Sequence, residues 1–160
     1  MKQLIKLTVI KKVIAIDFGV KRVGLAVSDE TLRFSFERGA IINDSKLLEN
    51  IFKMAKEEDA GKIVVGYPLN LKSEKTLQTL EVDKFIARLQ SFFLSKNEPI
   101  EVEIFDERFT SKIASSHIAN SSMKKNKRKD KSMIDSISAQ IILQDYLDKT
   151  TNIRNQTQEG

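Results

Sequence analysis

Short apolar runs with β-branched residues open the chain and predict three successive strands. Residues 13–18 (VIAIDF) form such a run ending at Gly19, and residues 22–28 (RVGLAVS) follow after a connection short enough for a hairpin. Residues 33–42 (RFSFERGAII) have the pattern of a third antiparallel strand, in which Gly39 is a candidate β-bulge. The chain is therefore predicted to begin with a β-meander.

The apolar pattern then changes from strand to helix and back. Apolar residues recur at three- and four-residue steps after a candidate cap at Asp44 or Ser45, which predicts an amphipathic helix ending before Gly61. Residues 62–67 (KIVVGY) form a continuous apolar run that Pro68 terminates, as expected of a buried strand.

The second half of the chain repeats this order and ends in helices. An apolar stripe over 82–93 predicts a second helix, and residues 100–105 (IEVEIF) alternate as the next strand. Thr110 can cap a short helix, and the nearly all-round apolar pattern over 132–148 predicts a well-buried final helix. Residues 149–160 lack an apolar period and are predicted to form a loose tail.

The predicted element order is βββαβαβαα within one domain, residues 1–148. No internal repeat and no linker divides the sequence. A meander followed by strands that alternate with helices predicts an α/β fold, with a mixed five-stranded sheet covered by helices on both faces.

The residue types present narrow the chemistry. The 160 residues include 27 Lys and Arg against 22 Asp and Glu, and the net charge of +5 favours a polyanionic partner without requiring one. The absence of cysteine excludes thiolate metal sites and a cysteine nucleophile, and one histidine, His117, leaves carboxylates and lysines for catalysis. Lysines interrupt the apolar residues of segment 1–16, so this segment has the pattern of neither a signal peptide nor a membrane span. A cytoplasmic protein is therefore expected.

Acidic residues lie at the ends of separate predicted elements. Asp17 ends an apolar strand, where a carboxylate is costly to bury unless it is paired or binds metal. Asp106 and Glu107 follow a later strand, and Asp135 lies near the start of the last helix. Each has a structural alternative: a turn cap at Asp17, an ion pair with Arg108, or a favourable helix-dipole interaction at Asp135. Their combination in one small sheet favours a functional site.

Converging carboxylates suit hard divalent cations. Mg²⁺ and Mn²⁺ prefer oxygen ligands, and two ions about 3.5–4 Å apart can activate a water and stabilise the departing oxygen of a phosphodiester. A basic run just before Asp135 is expected to bind a nucleic-acid backbone, the alternative being a solvated loop. Its residues are Lys124, Lys125, Lys127, Arg128, Lys129 and Lys131.

Four segments of the sequence resemble the YqgF/RuvX family of pre-16S rRNA nucleases, which are relatives of the RuvC-type Holliday junction resolvases. They are IAIDFGVKRVGLAVSD (14–29), IVVGYPLN (63–70), FDERFTS (105–111) and MIDSISAQIILQDYL (133–147), in the family's order. The resemblance implies a ribonuclease H-like fold and a metal-dependent nuclease that matures the 5′ end of small-subunit rRNA.

The resemblance also implies roles for individual residues. Asp17, Glu107 and Asp135 resemble the family's catalytic, metal-binding acids, with Asp106 as an adjoining metal ligand. Arg22 and Arg108 match the motif arginines, which are expected either to contact phosphate or to neutralise the carboxylates. The sequence departs from the family at Tyr67, Lys72 and Ser73, where Leu, Asp and Gly are usual, and at Ser136 and Ser138, where alanine is usual.

Other functions remain open at this stage. Structured RNA, above all pre-16S rRNA, is the expected partner, but backbone contacts alone do not distinguish RNA from DNA, so a DNA junction resolvase acting on branched DNA is the main alternative. A ribosome-assembly factor that binds RNA without cleaving it is another. An actin-like ATPase is not expected, because a duplicated domain around a nucleotide cleft far exceeds 160 residues.

Overall fold

The predicted meander and the helix–strand alternation are both present. The computed structural model describes residues 9–70, 72–107 and 131–158. Their elements are β1 (Lys12–Phe18), β2 (Arg22–Ser28), β3 (Ser35–Ile42), α1 (Leu47–Glu57), β4 (Ala60–Tyr67), α2 (Leu77–Ser95), β5 (Glu101–Asp106) and α3 (Lys131–Gln158). The short helix predicted after Thr110 lies outside the described residues.

The five strands form one mixed sheet, as predicted. Its order is β3-β2-β1-β4-β5. β2 runs antiparallel to both β1 and β3, whereas β4 is parallel to β1 and β5 is parallel to β4. β1, β3, β4 and β5 therefore end at the same edge of the sheet, which we call the site edge.

The predicted bulge at Gly39 is confirmed by the pairing of β2 with β3. Gly24 pairs with Ala40, whereas Ala26, two residues further along β2, pairs with Glu37, three residues away on β3. β3 therefore has one extra residue, and Gly39 adopts a φ of 72°, which glycine reaches without steric cost.

Helices cover both faces of the sheet because side chains alternate along the strands. Ile14 and Ile16 of β1 pack with α1 and α2, whereas Val13 and Ala15 pack with α3. The face toward α1 and α2 buries Leu47, Ile51, Val82, Phe85, Leu89 and Phe93, and the opposite face buries Ala139, Ile142, Leu143, Tyr146 and Leu147. The predicted apolar stripes of the helices are thus the core-facing ones.

The first two helices begin differently. The N-cap of α1 is Lys46, whose side chain makes no capping hydrogen bond. Asp44 does not cap the helix, because its Oδ1 accepts the N–H of Lys46, at 2.9 Å, in the turn before the helix. The predicted cap at Asp44 or Ser45 is therefore displaced by one or two residues. In α2, Thr76 and Thr79 form a reciprocal capping box.

The final helix is longer than predicted. Residues 149–158, expected to form a loose tail, continue α3 as exposed helix to Gln158. This stretch contains neither proline nor glycine, and adding residues to an existing helix costs far less than nucleating one. Among the described helices, none combines the length and the apolar character needed to cross a membrane.

Candidate active site

Asp17 lies on the central strand of the sheet, on the face covered by α3. Val13 and Ala15 face α3, and strand alternation places Asp17 on that face too. Its partner on β2 is Gly24, and on β4 the residue next in register is Gly66, which follows Val65, the partner of Ile16. Asp17 is therefore flanked on both neighbouring strands by residues without a side chain.

The space beside Gly24 is filled by the backbone of α3. A Cβ atom on Gly24 would lie 2.0 Å from the carbonyl oxygen of Asp135 and 3.2 Å from the nitrogen of Ser136. Only glycine allows this approach, because real Cβ atoms do not come so close to backbone atoms. Because Gly24 is the partner of Asp17 on β2, this close approach places Asp135 near Asp17.

The space beside Gly66 is filled by a second carboxylate. A Cβ atom on Gly66 would lie 2.7 Å from Oε1 of Glu107 and 2.8 Å from Cδ1 of Ile142. Glu107 directly follows β5, the neighbour of β4. The two glycines together therefore gather acids from three elements around the end of β1.

The electrostatics of Asp17 reflect this gathering. Burial, followed by the charges of Glu107 and Asp135, raises the pKa of Asp17 from its ordinary value of 3.8 to about 7. Burial and then the charge of Asp106 also raise the pKa of Glu107. The site concentrates negative charge that a bound cation would stabilise.

Arg22, the first residue of β2, provides positive charge at this site. Its Nε donates to Oδ2 of Asp135 at 3.2 Å, and 34% and 32% of the two side chains remain exposed. One of the two sequence alternatives for Arg22, neutralisation of the carboxylates, is therefore present as an ion pair. Its position also leaves it partly accessible to a ligand.

Ser136 fastens the start of α3 to the edge strand. Its buried hydroxyl donates to Oε2 of Glu37 on β3 at 2.8 Å, while the hydroxyl of Ser138 donates to the carbonyl of Ile134 at 3.0 Å. The two serines that depart from the family pattern thus make hydrogen bonds within the protein. The contact of Ser136 fixes the residue that follows Asp135 against β3.

Tyr67, another departure from the family pattern, anchors the loop that follows β4. Its hydroxyl donates to Oδ1 of Asp83 at 2.8 Å, and Lys75 donates to Oδ2 of the same carboxylate at 3.0 Å. Thr79 of α2 donates to the carbonyl of Pro68 at 3.4 Å. The loop between β4 and α2 is therefore fastened at the site edge.

The remaining predicted residues are distributed as follows. Asp106 pairs with Tyr67, which faces α1 and α2, so Asp106 lies on the face opposite Asp17, although its charge still acts on the adjacent Glu107. Outside the described residues lie Arg108, Lys124, Lys125, Lys127, Arg128, Lys129 and the side chain of Lys131.

The donor set suits Mg²⁺ or Mn²⁺, since Asp17, Glu107 and Asp135 offer only carboxylate oxygens. Within residues 9–70, 72–107 and 134–158, however, no three acidic or imidazole side chains are close enough together to hold an ion without adjustment. The ion pair of Asp135 with Arg22 engages one of these carboxylates.

Gly24 and Gly66 were not identified as site residues from the sequence, although a signal was present. An isolated glycine inside an apolar strand indicates close approach of another chain segment. RVGLAVS and KIVVGY each contain one such glycine. What the sequence does not show is which segment approaches.

A mixed sheet in this order, with an acidic residue on its central strand, is the ribonuclease H-like fold, and solved structures share it. RuvC of Thermus thermophilus, in complex with a Holliday junction substrate, superimposes with a TM-score of 0.56 at 8% identity, covering 87% of this chain and 96% of that one. The Fowlpox virus resolvase, in complex with Holliday junction DNA, gives 0.52 at 13% identity, covering 87% and 98%.

The chain belongs to the RuvX family, whose model, described as "Holliday junction resolvase", matches residues 11–149. A protein named "Putative pre-16S rRNA nuclease" from Mycoplasmopsis synoviae (strain 53) is 37% identical over 138 residues, covering 84% of this chain and 96% of that protein. A protein of the same name from Sulfurihydrogenibium sp. (strain YO3AOP1) is 37% identical, covering 86% and 90%. The resemblance found in the sequence is confirmed, and with it the class of nuclease.

Proposed function

We propose that this protein is a metal-dependent nuclease that hydrolyses phosphodiester bonds in precursor ribosomal RNA, maturing the 5′ end of pre-16S rRNA in the cytoplasm. The observation that carries the proposal is the gathering of Asp17, Glu107 and Asp135 at one edge of the sheet, where burial and then the charges of the other two acids raise the pKa of Asp17. The names of the relatives described above support the choice of substrate.

Asp17, Glu107 and Asp135 would hold Mg²⁺ or Mn²⁺. A divalent ion, when bound, acts as a Lewis acid on a phosphoryl oxygen and lowers the pKa of water. The carboxylates position this charge and do not attack phosphorus, so no covalent intermediate is expected. Arg22 is partly exposed beside Asp135 and can bind a phosphate oxygen through its guanidinium.

Cleavage of two substrates under matched conditions tests the proposal. The purified chain is incubated with a precursor 16S rRNA fragment and, separately, with a four-way DNA junction, in magnesium, in manganese and in chelator. Metal-dependent cleavage of the RNA fragment in preference to the junction is expected. RNA that binds but stays intact with either metal would favour the alternative of an RNA-binding assembly factor.

A DNA endonuclease that resolves junctions is the second candidate function. It is favoured by the description of the family model and by the junction complexes of the structural neighbours, which share the fold at low identity. Metal-dependent cleavage of the four-way junction with intact precursor RNA would establish it in place of the RNA nuclease.

Replacing Arg22 with Gln is expected to tighten Mn²⁺ binding several-fold while weakening nucleic-acid binding. The substitution frees the Asp135 carboxylate from its cation, and a partly exposed pair of this kind is worth roughly 1 kcal/mol or less. Isothermal titration with Mn²⁺ measures the first effect, and fluorescence anisotropy with labelled RNA measures the second. Arg38→Gln, which removes an ion pair with Glu58 away from the acids, is the matched control. Weaker Mn²⁺ binding in Arg22→Gln alone would mean that Arg22 orients Asp135 for the metal.

A further inference from the structure

Lysines at the edge of the sheet opposite the site edge are paired with carboxylates. Lys11 pairs with Asp59 at 3.6 Å and Lys12 with Glu58 at 3.0 Å. Lys56, near the end of α1, donates to Oε1 of Glu98 at 2.6 Å. Positive charge at that edge is therefore largely compensated.

Three lysines at the site edge differ from these. Lys21 lies between β1 and β2, Lys46 between β3 and α1, and Lys72 between β4 and α2, and all three are exposed. None of them forms an ion pair with a carboxylate of the described residues. We call these three residues the basic row. Its positive charge is uncompensated within the described part of the chain.

The position of Lys46 opposes the electrostatics of its own helix. It occupies the N-cap of α1, where the helix dipole is positive, and its side chain makes no capping hydrogen bond. A cation there gains nothing from the helix, whose N-terminus favours negative charge. The charge of Lys46 is thus available to a ligand.

The loops that present Lys21 and Lys72 are held by asparagine side chains. Nδ2 of Asn43 donates to the carbonyl of Gly19 at 2.9 Å, and the N–H of Asn43 donates to the carbonyl of Lys21 at 3.0 Å. Oδ1 of Asn70 accepts the N–H of Lys72 at 3.0 Å. In the same loop Lys75 pairs with Asp83, whereas Lys72 forms no ion pair with a carboxylate of the described residues.

The spacing of the basic row follows from the strand order. Lys46 follows β3, Lys21 joins β2 to β1, and Lys72 follows β4, so the row crosses four adjacent strands. Three strand spacings amount to about 14 Å. A nucleic-acid strand advances roughly 3.4 Å per nucleotide in a duplex, so the row can span about four phosphates.

We propose that Lys21, Lys46 and Lys72 form a phosphate-binding surface that holds the backbone of the nucleic-acid substrate across the site edge, beside Asp17. The choice of nucleic acid as partner rests on the proposed function. Polyanion binding by this surface releases counterions, so it contributes affinity and salt dependence without reading base sequence.

Two triple variants of equal charge test the proposal. Lys21→Ala/Lys46→Ala/Lys72→Ala removes the basic row, and Lys11→Ala/Lys53→Ala/Lys56→Ala removes three paired lysines away from the site edge. Affinity for a labelled precursor rRNA fragment is measured by anisotropy, in chelator and in magnesium, over a range of salt concentrations. Melting curves establish that both variants are folded.

The basic-row variant is expected to reduce the magnitude of the negative slope of log affinity against log salt by about 2–3, since each phosphate contact contributes roughly 0.7–0.9. The control variant is expected to keep the wild-type slope. Equal losses in both variants, or no loss in either, would overturn the surface, because net charge or other residues would then account for binding. Wild-type protein that binds no nucleic acid would overturn it too. Wild-type protein that cleaves RNA while the slopes stay unchanged would leave the proposed function intact and remove only the surface.

Discussion

An Asp17→Asn variant is expected to cleave nucleic acid about 10³-fold more slowly than the wild-type chain while being the more stable protein at neutral pH. The amide keeps the size of the side chain but loses a charged oxygen that would hold a divalent ion. A 10³-fold loss corresponds to roughly 4 kcal/mol of transition-state stabilisation. Single-turnover cleavage with saturating magnesium measures it.

The gain in stability follows from the raised pKa of Asp17, whose folded value of about 7 lies above the ordinary 3.8. Between these two pH values the folded state binds the proton that the unfolded state has lost, so wild-type stability falls as pH rises from about 4 to about 7. The fall amounts to at most about 4 kcal/mol. Asp17→Asn lacks it. In chelator, urea unfolding should show the variant and the wild type alike near pH 4 and the variant more stable at pH 8.

Asp29→Asn is the matched control, because its carboxylate lies in the turn between β2 and β3, away from the site edge. Burial would raise the pKa of Asp29, but hydrogen bonds from the N–H of Phe34, the hydroxyl of Thr31 and the N–H of Arg33 lower it to about 2. Its contribution to stability is present above about pH 4 and lost on acidification, the opposite sign to Asp17. Asp29→Asn should therefore cleave normally and be less stable at pH 8. If Asp17→Asn were less stable than wild type at pH 8, Asp17 would not be a carboxylate buried among other acids, and the description of the site would be contradicted.

The elements of this fold were predictable because their signals are local. Apolar runs and periodicities identified every strand and helix of the described residues, and Gly39 identified the bulge. The end of α3 was predicted wrongly, since residues 149–158 have no apolar face and their helix continues from a segment that packs on the sheet. The composition of residues 149–158 alone does not show that a helix formed by the preceding residues continues through them.

The sequence predicted which acidic residues form the site and at which ends of strands and helices they lie, but not how they are arranged in space. Asp17, Glu107 and Asp135 end up together because strand order places β5 two strands from β1 and because α3 crosses Gly24. Asp106, one residue from Glu107, lies on the other face, which strand alternation decides only once the register is known. The basic row was missed for the same reason, since its lysines are 25 or more residues apart and meet only through the sheet order.

Replacing Gly24 with Ala is expected to destabilise the protein by about 3 kcal/mol and to lower cleavage at least 10²-fold. A new Cβ would lie 2.0 Å from the carbonyl oxygen and 2.5 Å from the carbonyl carbon of Asp135, so α3 must shift away from β2. Overpacking of this kind costs roughly 1–3 kcal/mol, with rigid backbone at the upper end. A displacement of about 1 Å can cost 10²-fold in rate, and here it would move Asp135 itself.

Gly61→Ala is the matched control for this helix displacement, because the atoms nearest to its new Cβ belong to the side chain of Lys11, at 2.9 Å from Cβ and 3.1 Å from Cδ. Rotation of the lysine relieves the contact with Cδ, but the contact with Cβ, which is fixed to the backbone, requires a small shift of the backbone at Lys11. Stability should therefore fall by about 1 kcal/mol, and cleavage should be unaffected because no acid of the site moves. Urea unfolding and single-turnover cleavage of both variants provide the comparison. Should Gly24→Ala unfold and cleave like Gly61→Ala, α3 would not rest on Gly24, and the account of how Asp135 reaches Asp17 would have to be abandoned. Loss of cleavage with little loss of stability would instead show that α3 yields easily and that the position of Asp135 alone limits the reaction.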